Sequence, residues 1–128
     1  MARDSINVQY PAIDTTQSVG KASVTKTAVN ASNGIKIASA FANKNNTLII
    51  CVDNDDDADS YVVFKAGDAY PNAMLGDLQQ TVLSETTTVF QLQDISRFEN
   101  KDGSLNVDFK TGFDGTIYAI AKSVALNS

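Results

Sequence analysis

Apolar residues along this chain recur in short runs, either alternating with polar ones or continuous, and no stretch keeps the 3.6-residue spacing of an amphipathic helix. The cleanest alternation is "SLNVDFK", which puts Leu105, Val107 and Phe109 on one face and Asn106, Asp108 and Lys110 on the other. "TTVFQLQD" does the same with Phe90 and Leu92 against Gln91 and Gln93. "TLIICVD", "SYVVFKAG" and "GTIYAIAK" read as further strands, each with a continuous apolar stretch. Turn residues separate them: "ENKDGS" holds the pair Asp102–Gly103, "TGFDG" precedes the last run, and "AGDAYPNAMLGD" is a longer surface connection.

This pattern predicts an all-β fold, an antiparallel β-sandwich of jelly-roll or Ig-like type. Its expected core includes Leu48, Ile50, Val62, Phe64, Phe90, Leu92, Leu105, Val107 and Phe109. The aromatics Tyr61, Phe98 and Tyr118 fall at strand spacing too and are assigned mostly to the core. Residues 1–30 read differently, because Ser, Thr, Gln and Lys dilute the alternation in "SINVQY" and "SVGKASVTKTAV". They are taken as an N-terminal arm or edge strand, with residues 31–128 as the sandwich domain.

Composition agrees with this pattern. Ser, Thr and Asn supply 11 residues each and Glu only two, a mixture poor in helix formers. The net charge is −5, from 15 acidic and 10 basic residues. Ten dispersed cations do not make the basic stripe that nucleic-acid binding requires. No stretch reads as a signal peptide or membrane span, and the lone Cys51 excludes an internal disulfide, so synthesis in a cytosol is expected. Histidine is absent from the sequence, which removes the commonest general base and metal ligand. An enzyme is therefore not expected, and no catalytic, cofactor or metal residue is assigned. Cys51, inside an apolar run with no neighbouring base, is assigned to the core.

One stretch resembles chemistry. "CVDNDDDADSYVVF" sets Asp53, Asp55, Asp56, Asp57 and Asp59 between two apolar runs, and these five account for the whole net charge. An EF-hand loop needs Gly at its sixth position and Glu at its twelfth. Counting from Asp53 puts Ala58 and Phe64 there, and counting from Asp55 puts Ser60 and Ala66 there. Both registers fail. The favoured reading is the exposed tip of a hairpin, where charge preserves solubility and Asp suits turn geometry. A looser calcium site is the minority reading.

The order of the pieces resembles the small β-sandwich head proteins of tailed bacteriophages. It is carried by "LIICVDN", then "FKAGD", "GDL", Arg97–Phe98, Asp102–Gly103, "LNVDF" and "TIYAIA", across about residues 45–122. The long acidic stretch and the extra N-terminal residues depart from that pattern. What the resemblance implies is an auxiliary or decoration protein on the capsid exterior of the virion, made in the host cytoplasm. Its partner would be the assembled major capsid protein, with itself or other head proteins as further partners, and it would engage neither nucleic acid nor membrane. The competing expectation is a receptor- or carbohydrate-binding module of a fibre or baseplate, which would present exposed aromatics or carboxylates in a groove. A carboxylate-dependent hydrolase is a further alternative, and no spacing of acids singles out the pair that it would need.

Overall fold

A computed structural model describes residues 3–9, 23–38, 40, 48–68, 76–91 and 97–121. They form nine strands: β1 (Asp4–Asn7), β2 (Thr27–Ala28), β3 (Ile35–Ala38), β4 (Leu48–Asn54), β5 (Ser60–Phe64), β6 (Leu78–Val82), β7 (Thr87–Gln91), β8 (Leu105–Phe109) and β9 (Gly115–Ala121). There is no α-helix among the described residues. One sheet has the order β1-β3-β8-β5-β6 and the other β2-β9-β4-β7. All neighbours are antiparallel except β1 and β3, which run parallel.

The pairings β2 with β9, β3 with β8, β4 with β7, and β5 with β6 are nested. Their registers, such as Thr27↔Ile117, Ile35↔Val107, Ile50↔Phe90 and Val62↔Gln80, are all centred within the connection 69–75. The chain is thus one long hairpin, doubled back on itself and wound into two sheets. That is the jelly-roll arrangement rather than the Ig-like one, with β1 added to the outer edge of β3.

Inward residues of both sheets form one core. Leu48, Ile50, Val62, Phe64, Leu105, Val107 and Phe109 are buried in it as the alternation predicts, and Phe90 packs against it partly buried. Leu92 lies outside the described residues. Phe64 is a hub, with the Phe90 ring edge-on at 5.1 Å and Phe98 tilted at 6.0 Å. Fully burying side chains of this size contributes roughly 1.5–3 kcal/mol each. Tyr61 and Tyr118 are corrections, since both lie half-buried on outer sheet faces. A two-residue period assigns a face, and for these strands the outer face is also partly apolar.

The expected N-terminal arm is docked within the chain wherever it is described. Ile6 pairs with Ile37 and, with Val8, enters the core. Arg3 forms an ion pair with Asp108 of β8. The strand then leaves the first sheet, and Gln9 bridges to β9, donating to Ala119 at 2.9 Å and accepting from Ala121 at 3.0 Å. Residues 3–9 thereby strap one side of the sandwich shut, and β2 continues the second sheet beside β9. The remainder of the expected arm, 1–2 and 10–22, lies outside the described residues.

Candidate functional site

The aspartate stretch is not a hairpin tip. β4 belongs to one sheet and β5 to the other, so residues 55–59 cross between sheets. Two sequential apolar strands look like hairpin partners locally, but here each finds its neighbours elsewhere in the chain. Asp53 is not in the crossover at all. It is paired within β4, and its side chain is only 14% exposed. Its carboxylate accepts from Thr87 Oγ1, from Lys26 Nζ at 2.9 Å and from Thr116 Oγ1 at 3.0 Å. The Thr87 hydroxyl, then Lys26, hold its pKa below the usual carboxylate range against the opposing effect of burial. Asp53 in turn pushes the Lys26 ammonium up.

Asn54, 1% exposed, is the residue on which the crossover is built. Its Nδ2 lies 3.1 to 3.3 Å from the carbonyls of Ala58, Val82 and Leu83, and its Oδ1 accepts the Asp56 N–H. One amide therefore ties the crossover to the turn 83–86. Further bonds complete the junction: Glu85 N–H donates to the Asp56 carbonyl, Ser84 N–H to the Asp59 carboxylate, and Asp55 N–H to the Asp114 carbonyl. A shallow groove of about 290 Å³ remains, lined by Asp53, Asn54, Asp55, Glu85, Thr86 and Thr87. Among the described residues no group of three or more His, Cys, Asp or Glu is arranged to hold a metal ion. Nothing in the sequence flagged Asn54, because an Asn beside an acidic run reads as one more turn residue.

At the other end of β5 the dispersed motif residues converge. Lys65 Nζ meets Asp77 at 2.6 Å, and the same carboxylate accepts the Ala66 N–H at 2.7 Å. Lys65 first, then that backbone N–H, hold the Asp77 pKa below its usual value. Gly67 donates its N–H to the Arg97 carbonyl, and a Cβ there would sit 1.9 Å from the Glu99 carbonyl oxygen. Only glycine fits. Arg97 returns along the same junction, its Nε donating to the Gly76 carbonyl and its guanidinium lying 5.3 Å over the Phe98 ring.

Asp68 and Asn100 join the next turn, where Gly103 takes a φ of +81° that glycine adopts without steric cost. Asp102 caps it by accepting from Ser104 Oγ at 2.6 Å and pairing with Lys36 at 3.0 Å. The Ser104 hydroxyl, then Lys36, lower the Asp102 carboxyl to about 2. Beside this turn lies a groove of about 460 Å³ lined by Arg3, Lys36, Asp68, Asn100, Asp102, Ser104 and Asn106. None of these is aromatic, and Asp68 and Asp102 are its carboxylates.

Cys51 is buried but is not part of the core between the sheets. Ile50 and Val52 point inward, so Cys51 faces outward, in register with Tyr118 of β9 and Val89 of β7. Ile49 and Ile120 form the adjacent row of the same outer face. The continuous run in "LIICVD" is thus explained by apolar residues on both faces of β4. Hydrogen bonding to Cys51 and burial push the Tyr118 phenol up to about 12.

Comparisons of the chain with protein-family models, with curated proteins and with solved structures gave no match.

Proposed function

We propose that this protein is an auxiliary protein of a tailed-phage head, which binds the outer surface of the assembled major capsid protein and stabilises the shell. One observation carries the reading. Stretches of the sequence that bear the resemblance, far apart along the chain, meet at one junction of the fold. There "FKAGD" touches "GDL" through Lys65, Ala66 and Asp77, and touches Arg97 through Gly67. Asp68 reaches the turn that holds Asp102 and Gly103.

The physics of such a role asks for a stable scaffold and one contact surface repeated over a lattice. Modest affinity at each site, summed over many copies or linked contacts, reinforces a shell strongly. The test adds the purified protein to capsids assembled without it and measures occupancy and the temperature at which DNA is released. Saturable occupancy and a higher release temperature are expected. Failure to bind such capsids, together with binding on a glycan array, would replace this reading with the carbohydrate-binding one. A second arm of the test replaces residues 10–22 with a short Gly-Ser linker. Gln9 and Thr25, which flank that segment, are already joined by side-chain bonds of 2.7 and 2.8 Å, so the sandwich should tolerate the change. Weaker binding by this variant would place part of the capsid contact on residues 10–22, and equal binding would place it on the sandwich.

A further inference from the structure

The two sides of the sandwich are finished differently. On one side β1 covers the edge of β3, while Gln9 and β2 cover that of β9. On the other side β6 and β7 end their sheets, and among the described residues no strand pairs with their outer edges. Exposed edges are usually protected by lysine, proline or a bulge. β6 reads "LQQTV" and β7 reads "TTVFQ", with neither charge nor proline.

The register of β7 shows what it offers. Asn54 N–H donates to the Thr86 carbonyl at 2.9 Å, and the β4 pairs continue as Val52↔Thr88 and Ile50↔Phe90. Hydrogen-bonded and non-bonded pairs alternate in an antiparallel ladder, so Thr88 and Phe90 turn their backbone groups toward β4. Thr87, Val89 and Gln91 therefore turn theirs outward. Their side chains are exposed too, with Val89 at 60%. On the outer face Val89 continues the row Tyr118–Cys51, so a strand added beside it would extend an apolar surface already begun.

Charge selects the occupant. β7 starts at the acidic junction, where Asp55 and Glu85 line the groove beside Thr87 and the turn before it bonds to Asp56 and Asp59. Among the described residues the cations at this end are Lys26, already taken by Asp53, and Lys110 after β8. A second copy paired antiparallel would set the uncharged Gln91 end of its own β7 beside this junction and leave the acidic groups uncompensated, whereas a strand with a basic end neutralises them.

We infer that the open edge of β7 accepts an extended segment of a partner protein by strand addition, its alternate side chains apolar and its end beside Glu85 basic. The added strand runs antiparallel to β7, as β4 does on the other side, so the basic residues lie at its C-terminal end. Main-chain bonds to Thr87, Val89 and Gln91 supply affinity, and the acidic junction supplies direction. The inference does not require the partner to be a shell protein, so its failure and that of the capsid reading are separable.

The probe is an octapeptide of alternating threonine and valine ending in two lysines, titrated into the full-length protein and followed by amide NMR shifts and hydrogen exchange. Shifts should concentrate on residues 87–91, with new exchange protection at Thr87, Val89 and Gln91. The same peptide ending in two glutamates should bind about tenfold more weakly or worse. Val89→Pro removes an outward N–H without touching the β4 ladder, so it should keep the fold and lose the peptide. Should that variant fail to fold, Val89→Lys serves in its place. Shifts elsewhere, no shifts at millimolar peptide, or equal binding of the two peptides would overturn the proposal. So would a dimer, seen by sedimentation, that the Val89 substitution dissolves, because the edge would then belong to a second copy.

Discussion

Two residues, Asn54 and Gly67, illustrate how much of this fold hangs on single positions. Asn54 supplies donors to a cluster of three carbonyls in a place sealed from solvent, and its carbonyl holds the next turn. Removing it leaves buried backbone acceptors without their partner, which is more costly than the net worth of the bonds themselves. Asn54→Ala should therefore destabilise by roughly 2–4 kcal/mol in urea unfolding, with an unchanged m-value. An effect below about 0.5 kcal/mol, the range of ordinary surface changes, would mean that the crossover does not depend on this amide. Asn54→Asp should not rescue, because a carboxylate facing three carbonyls repels where the amide donated. Gly67 is the steric counterpart, a position that any side chain would overfill.

At the scale of the element, the crossover 55–59 is held mainly by main-chain and amide bonds. Its backbone is held by the Asn54 side chain and by the Glu85 N–H, bonds that need no carboxylate from the crossover, while the Ser84 N–H donates to the Asp59 carboxylate. Asp56 accepts from the Asp57 N–H, a role that the carbonyl oxygen of Asn can fill. Replacing Asp55, Asp56 and Asp57 with Asn together should leave Tm nearly unchanged or raise it slightly, because like-charge repulsion falls. Calorimetry in calcium and in chelator should give the same Tm for both proteins. A large calcium-dependent rise that the triple variant loses would restore the crossover as a cation site.

For the whole molecule, the ionised carboxylates fasten both ends of the sandwich. Asp53 links Lys26 to Thr87 of β7 and Thr116 of β9, Asp77 holds Lys65, and Asp102 holds Lys36 of β3. All three have pKa values lowered by these partners, Asp102 to about 2. A carboxylate with a depressed folded pKa stabilises fully above its unfolded value near 3.9, and that contribution is lost as pH falls through the folded value. Tm should therefore be level from neutral pH down to about 5 and decline between about 4 and 2. Asp102→Asn should lower Tm at neutral pH and make the acid decline shallower. An identical acid limb for that variant would show that Asp102 contributes nothing to it.

The local pattern alone determined most of the residues that face the core, though not Tyr61, Tyr118 and Cys51, which lie on outer faces. Val62, Phe64, Leu105, Val107 and Phe109 alternate with polar or smaller outward neighbours, and side-chain direction along a strand depends only on its two-residue period. The turn at Asp102–Gly103 and the concentration of charge at 53–59 were legible for the same reason, since glycine geometry and charge are properties of short stretches. Strand partners were not legible, because pairing is decided by contacts far apart in the chain. β4 looks like the hairpin mate of β5, yet it lies between β7 and β9 in the other sheet. Only that choice buries Asn54, turns Cys51 to an outer face, seats Phe113 from a turn in the core and docks residues 3–9 across both sheets. Alternation names a face but not the strand that will lie beside it. The partner is settled by which nested pairing closes two apolar faces over one another, a condition that exists only once the whole chain has been wound.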